Sequence, residues 1–238
     1  MRPDLYHAHH TNHLEDLPYW ISLADTANGP ILELGCGTGR ILNFLNQEGF
    51  TIYGLDHDMR MLRYQKQEMP AAPVFAADLT QFHLGIKFSL IILGCNTYST
   101  LSAAQRQAAL SCIDRHLLTG GVFAASLPNP LDLIEMGNSD EAGPEETFFD
   151  PTTGDPVQVS SSWQTLNNQV TIYWHYDHLR PDGQVHRTTH STTHFRDPAE
   201  TYIQEILDQG FDVLTDGEYN GTPYSEETDL LILRASKA

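Results

Sequence analysis

The sequence predicts an α/β fold, in which a mostly parallel sheet carries helices on both faces and is interrupted by an antiparallel meander. Three observations predict it. Short apolar runs alternate with helical patterns over residues 30–127, a turn with three glycines follows the first run, and residues 157–195 are rich in Val, Thr, Tyr and Trp. Strand–helix alternation is typical of parallel sheets, whereas β-branched and aromatic runs joined by short turns favour antiparallel strands.

Five apolar runs are the predicted strands of the parallel sheet, because each is continuous enough to be buried on both faces. They are residues 31–34, 51–55, 74–77, 88–93 and 122–127. Between the first two runs, a helical face that begins at Ile41 stops at Gly49, a residue type that often follows the last helical residue.

Two further helices are predicted from the residues at their ends. The second helix spans residues 58–69 and is closed by Pro70, which cannot continue a helix. The third spans about residues 102–118, where Ser102 and Gln105 form a capping box, before Thr119-Gly120-Gly121 turns the chain.

The chain changes character after residue 128. Residues 137–156 are acidic and rich in Gly and Pro, which predicts a loop or a mobile lid. Residues 157–163, 169–179 and 185–195 predict an antiparallel meander, because Arg180-Pro181-Asp182-Gly183 is a strong turn signal between the last two runs.

The C-terminal part again shows the helix and strand patterns that are predicted for the core. Asp197 is the predicted N-cap of a helix with Pro198 in its first turn, and the helix ends at Gly210. Residues 211–214 and 228–234 are the last predicted strands. The predicted organisation is therefore an N-terminal cap segment (1–29), a core (30–136 and 197–238) and a lid loop with an antiparallel insertion (137–196).

Composition excludes several function classes. Lys and Arg number 13 against 31 Asp and Glu, a net charge of -18, which repels phosphate backbones and anionic lipids. No apolar run approaches the roughly 20 residues that span a bilayer, and the N-terminus lacks the apolar stretch of a signal peptide. The three cysteines, Cys36, Cys95 and Cys112, form no CxxC pair. These observations predict a cytoplasmic protein that binds neither nucleic acid nor membrane.

The glycine-rich turn and two carboxylates are the most informative motifs. Glu33-Leu34-Gly35-Cys36-Gly37-Thr38-Gly39 leads from a strand into a helix, where glycines let a ligand approach bare backbone. Asp56 and Asp78 end the next two strands, and the carboxyl ends of parallel strands are where such sheets bind ligands. The turn has GxGxG spacing, unlike the GxGxxG of dinucleotide sites, and no GK[ST] follows it. Together the motifs predict a nucleoside site without a phosphate anchor.

In order and spacing, residues 30–127 resemble the class I S-adenosylmethionine-dependent methyltransferases. The resemblance implies a Rossmann-like, mostly parallel seven-stranded sheet with a reversed C-terminal hairpin, and S-adenosyl-L-methionine as the cofactor. It implies that the turn wraps the methionine end, that Asp56 holds the ribose hydroxyls, and that Asp78 binds the adenine amino group. The cofactor-binding residues so implied are Tyr6, Glu33, Gly35, Cys36, Gly37, Gly39, Asp56, His57, Asp78, Leu79, Cys95 and Asn96.

A narrower resemblance concerns the acceptor. Residues 217–224 and the antiparallel insertion are similar to parts of bacterial small-molecule methyltransferases, some of which act on amino sugars. Tyr6 is placed like an aromatic residue that closes over the methionine end in such enzymes. The resemblance implies methyl transfer to nitrogen or oxygen of a small-molecule acceptor.

Twelve histidines raise the question of a metal site. His186, His190 and His194 share one strand face, but four residues at about 3.3 Å each separate neighbours by about 13 Å, too far for one ion. His9 and His13 share a face only if their segment is helical. The sequence therefore predicts no metal site.

If the acceptor must lose a proton, histidine is the residue type best suited to accept it near neutral pH. The candidates are His9, His10 and His194, with Tyr98 as an orienting group, and the sequence does not rank them.

The sequence is also compatible with other functions. The same fold can bind the cofactor without methyl transfer, either for another group transfer such as aminopropyl transfer or as a non-catalytic scaffold. A dehydrogenase is disfavoured by the glycine spacing. Exposed strands of the meander can pair across a two-fold axis, which allows a homodimer.

Overall fold

The computed structural model describes residues 1–68, 70, 72–139 and 141–237. Met69, the last residue of the predicted second helix, and Asp140 in the predicted loop lie outside the described residues. The strands are β1 (Ile31–Leu34), β2 (Ile52–Asp56), β3 (Val74–Ala76), β4 (Phe88–Leu93), β5 (Leu117–Pro128), β6 (Gly143–Phe149), β7 (Pro156–Leu166), β8 (Gln169–Leu179), β9 (Val185–Phe195), β10 (Phe211–Asp216) and β11 (Leu230–Lys237). The helices are α1 (Pro3–His10), α2 (Leu17–Thr26), α3 (Arg40–Gln47), α4 (Met59–Glu68), α5 (Ala103–His116), α6 (Pro130–Glu135) and α7 (Ala199–Asp208), with a 3₁₀ turn at Thr97–Thr100.

Seven strands form the main sheet, in the order β10-β11-β5-β4-β1-β2-β3. Strands β1 to β5 pair in parallel, whereas β11 runs antiparallel to both β5 and β10. This confirms the predicted α/β fold, in which β11 is the reversed strand of the C-terminal hairpin. The chain order reverses between β1 and β4, which places a crevice at the carboxyl ends of these strands.

The second sheet has the order β6-β7-β8-β9, with antiparallel pairing throughout. It confirms the predicted meander and adds one strand to it. The loop predicted over residues 137–156 is therefore wrong for Gly143–Phe149, which pair with β7. The acidic composition, with its Gly and Pro residues, gave no strand pattern. In the structure, Phe148 of this strand is buried in an apolar cluster with residues of β7 and β8.

Three apolar clusters hold these layers together. On one face of the main sheet, α5 and α7 pack through residues such as Leu110 and Tyr202, and on the other face α2, α3 and α4 pack around Trp20. The third cluster joins α1 to the second sheet and contains Leu5, Phe148, Val157, Val159 and Tyr176. Helix α1 thus lies between the second sheet and the rest of the molecule.

The structure corrects three further local predictions. The third helix ends at His116, and the predicted turn at residues 119–121 belongs to β5, whose register shifts there. Strand β3 is only partly buried because it is the edge of the main sheet. Asp197 does not cap α7; Pro198 is the N-cap, and the Asp197 carboxylate instead accepts hydrogen bonds from Arg106 and Asn168.

Among the described residues, no helix has the length and apolar character that a membrane crossing requires.

Candidate active site

The glycine turn between β1 and α3 exposes backbone to one side. Gly37 and Gly39 have φ values of 53° and 87°, the left-handed region that side chains disfavour. A Cβ on Gly39 would lie 2.7 Å from Gln65 Cγ, so this glycine is required by packing. A Cβ on Gly37 would meet only Tyr6 Cε1, at 3.7 Å. Gly37 therefore borders open space in which a ligand can contact the backbone.

Asp56 joins this turn to the start of α4. One carboxylate oxygen accepts the Gly37 N–H at 2.8 Å and the other accepts the Asp58 N–H at 2.7 Å. The neighbouring His57 side chain is 84% exposed. Since a carboxylate oxygen can accept more than one hydrogen bond, Asp56 keeps capacity for ligand hydroxyls.

Asp78 follows β3 and lies at the same edge of the sheet. Its Oδ1 accepts hydrogen bonds from the Thr80 N–H at 2.8 Å and the Thr80 hydroxyl at 2.7 Å, which lower the pKa of this carboxyl. A cavity of about 470 Å³ runs between the glycine turn and these two carboxylates. The residues predicted for a cofactor that line it are Tyr6, Gly35, Gly37, Asp56, His57, Asp78 and Leu79.

Glu33 is buried beside the turn, and its Oε2 has no hydrogen-bond partner among the described residues. Burial raises the pKa of Glu33 to about 8, although the positive charge of Arg40 opposes the shift. A buried carboxylate oxygen without a donor is costly to the free protein, and a cationic group of a ligand would offset that cost. Glu33 thus fits a cofactor that carries positive charge.

A second cavity of about 550 Å³ lies between the main sheet, α1 and the second sheet. Tyr6, Thr97 and Thr100 line both cavities, so the two spaces adjoin around the Tyr6 ring. Predicted residues that line only the second cavity are His9, His10, Cys95, Asn96 and His194. Cys95 and Asn96, at the end of β4, have φ values of 53° and 60°. Positive φ values are uncommon for residues other than glycine.

Hydrogen bonds fix the tautomer of His194. The Ser99 hydroxyl donates to the Asn96 carbonyl at 2.8 Å, so it can only accept from His194 Nδ1, which lies 2.8 Å away. Nε2 of the neutral ring is therefore an acceptor. Burial lowers the pKa of His194 to about 4, which keeps the ring neutral at pH 7.

His9 and His10 of α1 are also neutral at pH 7. His10 Nδ1 lies 3.0 Å from the Tyr6 carbonyl and donates to it, and the His10 and Tyr6 rings stack at 4.0 Å. Burial lowers the pKa of His10 to about 3 and that of His9 to about 4. His9 Nδ1 lies 2.8 Å from the Tyr176 hydroxyl on the second sheet.

Tyr98 is not in this group. Its ring is buried in the core near Phe123 and Tyr202, and it lines neither cavity. Its predicted orienting role thus has no geometric support.

The sequence did not predict several residues of the second cavity, and two of these, Arg40 and Asp16, form an ion pair. Arg40 forms a bidentate pair with Asp16, with both N–O distances at 2.6 Å, and Trp20 Nε1 donates to the same carboxylate at 2.8 Å. Arg40 stands next to the glycine turn in the sequence, but no motif marks Asp16. The pair anchors the N-terminal segment to the start of α3, where Arg40 also lies 3.1 Å from Cys95 Sγ.

The structure combines a parallel sheet, a glycine turn, carboxylates at the ends of β2 and β3, and a buried Glu33 whose Oε2 has no hydrogen-bond partner among the described residues. This arrangement is typical of α/β proteins that bind a nucleoside ligand. Residues 31–121, which include the turn and both carboxylates, match a family model described as a methyltransferase domain. Residues 31–121 are thus similar to a methyltransferase domain, and this match, taken with the fold, supports S-adenosylmethionine-dependent methyl transfer with S-adenosylmethionine as the cofactor.

Similar proteins agree with this assignment. The Bacillus subtilis (strain 168) protein YqeM, which is named as a methyltransferase, is 23% identical over 92% of this chain and 88% of its own. The dTDP-3-amino-3,4,6-trideoxy-alpha-D-glucopyranose N,N-dimethyltransferase of Streptomyces venezuelae is 30% identical over 39% of each chain. The fold is similar to that of CalS10, an amino pentose methyltransferase from Micromonospora echinaspora, with a TM-score of 0.77, 18% identity and coverage of 98% and 96%.

Proposed function

We propose that this methyltransferase methylates an amino nitrogen of a small, sugar-like acceptor bound in the second cavity. The observation that carries the proposal is the contact between the two cavities around Tyr6, Thr97 and Thr100. A cofactor along the first cavity would present its reactive end to the second. An open acceptor cavity also argues against a scaffold that only binds the cofactor.

The charges around the second cavity support a neutral or cationic acceptor. Glu15 and Asp16 line it, and the positive charge of Arg40 is neutralised by Asp16. An anionic acceptor would therefore find no free cation among the described lining residues. An amine fits this surface, and the two relatives named above as acting on amino sugars support the same choice.

The residues of the cavity position the acceptor more than they activate it. S-adenosylmethionine supplies a methyl group on a sulfonium sulfur, which is already a good leaving group. Forming the C–N bond breaks the C–S bond, and the methylated ammonium then releases its proton. The His194 imidazole is too weak a base to remove a hydroxyl proton efficiently, but its Nε2 can accept a hydrogen bond from an amine N–H. Tyr6, Trp174 and Tyr219 help to exclude water around the reacting atoms.

A matched pair of acceptors tests the proposal. Two methyl glycosides without phosphate, which differ only in an amino or a hydroxyl group, are incubated with the enzyme and labelled methyl donor. Label is expected in the amine alone. His194→Ala should lower this rate without changing affinity for S-adenosylhomocysteine, while His186→Ala, at an exposed position of the same strand, serves as the control. Equal transfer to the hydroxyl sugar would contradict the proposal.

A further inference from the structure

Three potential metal ligands lie close together at the edge of the second cavity. None of them has a role in the proposed function. His9 lies in the last turn of α1, His13 follows the turn after that helix, and Glu146 comes from β6. Their ligand atoms all lie within 4.8 Å of one another. His9 and His13 also line the second cavity. Two sequence-distant elements thus bring imidazole and carboxylate donors together at one point.

The Glu146 carboxylate is not satisfied by this arrangement. Its Oε1 is shielded from solvent and lies 3.2 Å from His9 Nε2, yet it has no hydrogen-bond partner among the described residues. The other ring nitrogen of His9 lies 2.8 Å from the Tyr176 hydroxyl. If Nδ1 donates to Tyr176, the lone pairs of His9 Nε2 and Glu146 Oε1 converge without a proton between them. A cation at that point would satisfy both atoms.

We propose that His9, His13 and Glu146 bind a divalent transition-metal cation of the Zn²⁺ class. Two imidazoles and one carboxylate are donors that Zn²⁺ accepts in a tetrahedral site, whereas Mg²⁺ prefers oxygen ligands alone. Three protein ligands leave a fourth position open, as in catalytic rather than structural zinc sites. Tyr176 would orient His9, as the outer partners of metal-bound histidines do.

The ligands need only small movements to close on an ion. Ligand atoms at about 2.0–2.2 Å from a tetrahedral ion lie about 3.3–3.6 Å apart, compared with the limit of 4.8 Å in this structure. His9 is buried among Phe148, Trp174 and Tyr176 and is held in place. The His13 side chain is 55% exposed and belongs to no helix or strand, so it is the ligand with freedom to rotate.

The open position faces the acceptor side, because His9 and His13 belong to the lining of the second cavity. An oxygen donor of the acceptor, such as a hydroxyl beside the reacting amine, could occupy that position. Coordination of the amine itself would engage the lone pair that attacks the methyl group. This consequence rests on the proposed function, whereas metal binding does not.

Metal binding is measured without turnover. The full chain, without a polyhistidine tag and freed of metal with a chelator, is titrated calorimetrically with Zn²⁺ and separately with Mg²⁺. One equivalent of Zn²⁺ is expected to bind with micromolar or tighter affinity, and Mg²⁺ is not. His13→Ala and Glu146→Gln should each weaken Zn²⁺ binding at least about tenfold.

Two control variants separate this site from general surface binding. Glu145→Gln removes the adjacent, exposed carboxylate, and His186→Ala removes an exposed histidine of β9; both should bind Zn²⁺ as the wild type does. Absence of Zn²⁺ binding, or equal binding by the His13 and Glu146 variants, would overturn the proposal and leave only the 3.2 Å contact between His9 Nε2 and Glu146 Oε1. Cobalt absorption of the wild-type chain is a second test that needs no variant. Tetrahedral Co²⁺ bands are expected, and a spectrum of solvated Co²⁺ would contradict the site.

Discussion

Glu33 is the residue with the clearest conflict between burial and charge. It is 4% exposed and lies within the electrostatic reach of Arg40, Asp16 and Asp56. Burial raises the pKa of its carboxyl to about 8, against the opposing effects of Arg40 and of a hydrogen bond from the Leu42 backbone, while Oε2 has no partner among the described residues. The residue therefore weakens the fold of the free protein at neutral pH and above, as expected of a group retained to hold a cationic ligand.

This conflict predicts a pH dependence of stability. Between about pH 4.5 and 8 the unfolded Glu33 is ionised while the folded one keeps its proton, so wild-type stability falls as the pH rises through this window. Glu33→Gln removes that loss. Its stability relative to wild type should rise from pH 5 to pH 8 by at most about 1.4 kcal/mol per pH unit. Urea denaturation at both pH values measures the change, with exposed Glu48→Gln as the control. If the unfolding free energies of all three proteins change equally with pH, the pKa of Glu33 is not raised.

Substitutions of Gly37 and Gly39 should have different effects, because a side chain would meet different surroundings at the two positions. Gly37→Val should lose affinity for S-adenosylhomocysteine, since its Cβ enters open cavity, and should lose only the stability that the strain at its positive φ costs. Gly39→Val should lose stability, since its Cβ would overlap Gln65 and Asn43. Thermal melting and calorimetric titration separate the two effects. Retained affinity in the Gly37 variant would mean that this glycine serves packing alone.

At the scale of elements, Arg106 on α5 is a buried cation that joins two helices. Its guanidinium pairs with Asp197 at 2.8 Å and with Glu205 of α7 at 2.7 Å, and lies 4.6 Å from the centre of the Tyr202 ring. It also donates to the Leu101 carbonyl after the 3₁₀ turn. Arg106 thus ties α5 and α7 to the segment that borders both cavities.

Removing this cation leaves Glu205 and the Leu101 carbonyl without the donor that Arg106 provides. It also leaves Asp197 with Asn168 alone. Arg106→Ala should therefore cost about 3 kcal/mol of unfolding free energy. Denaturant titration measures the loss, and Arg115→Ala, at an exposed position of the same helix, is the matched control. A loss under about 1 kcal/mol, the value of an exposed ion pair, would show that the network adds little.

Sequence patterns identified most elements because hydrophobic periodicity and end signals are local. The Ser102–Gln105 capping box is present as predicted, and β1, β4, β8 and β9 have the predicted bounds. Strand β6 was missed since its pairing with β7 is a tertiary interaction that an acidic composition conceals. The same error removed Glu146 from consideration, so the sequence analysis could not place a carboxylate beside His9 and His13.

The site depends on contacts between residues that are far apart in the sequence, and residue spacing does not predict such contacts. Asp56 could be placed from its position at a strand end, because parallel strands share one carboxyl edge. The position of α1 over the turn depends instead on contacts such as His7 Nδ1 with the Thr38 hydroxyl, at 3.1 Å, and Arg2 with buried Asp150. Residue spacing in the N-terminal segment holds no information about these partners.

At the scale of the whole molecule, the second sheet leaves one long edge uncovered. Strand β9 is its last strand, and most residues of its first half are exposed. Pairing of this edge with a second copy is the arrangement we propose for a homodimer. Light scattering after gel filtration should then give twice the chain mass of 26.7 kDa. A mass of one chain at micromolar concentration would reject the dimer while leaving the site unaffected.

The central claim is that the cavity between the glycine turn, Asp56 and Asp78 binds S-adenosylmethionine. The measurement that tests it most directly is calorimetric titration of the purified chain with S-adenosylhomocysteine, with NAD as the comparison ligand. We predict micromolar binding of S-adenosylhomocysteine alone, weakened by about 1–3 kcal/mol in Asp56→Ala and unchanged in the exposed-site control Asp25→Ala. No binding by wild type, or equal affinity in the Asp56 variant, would contradict the account.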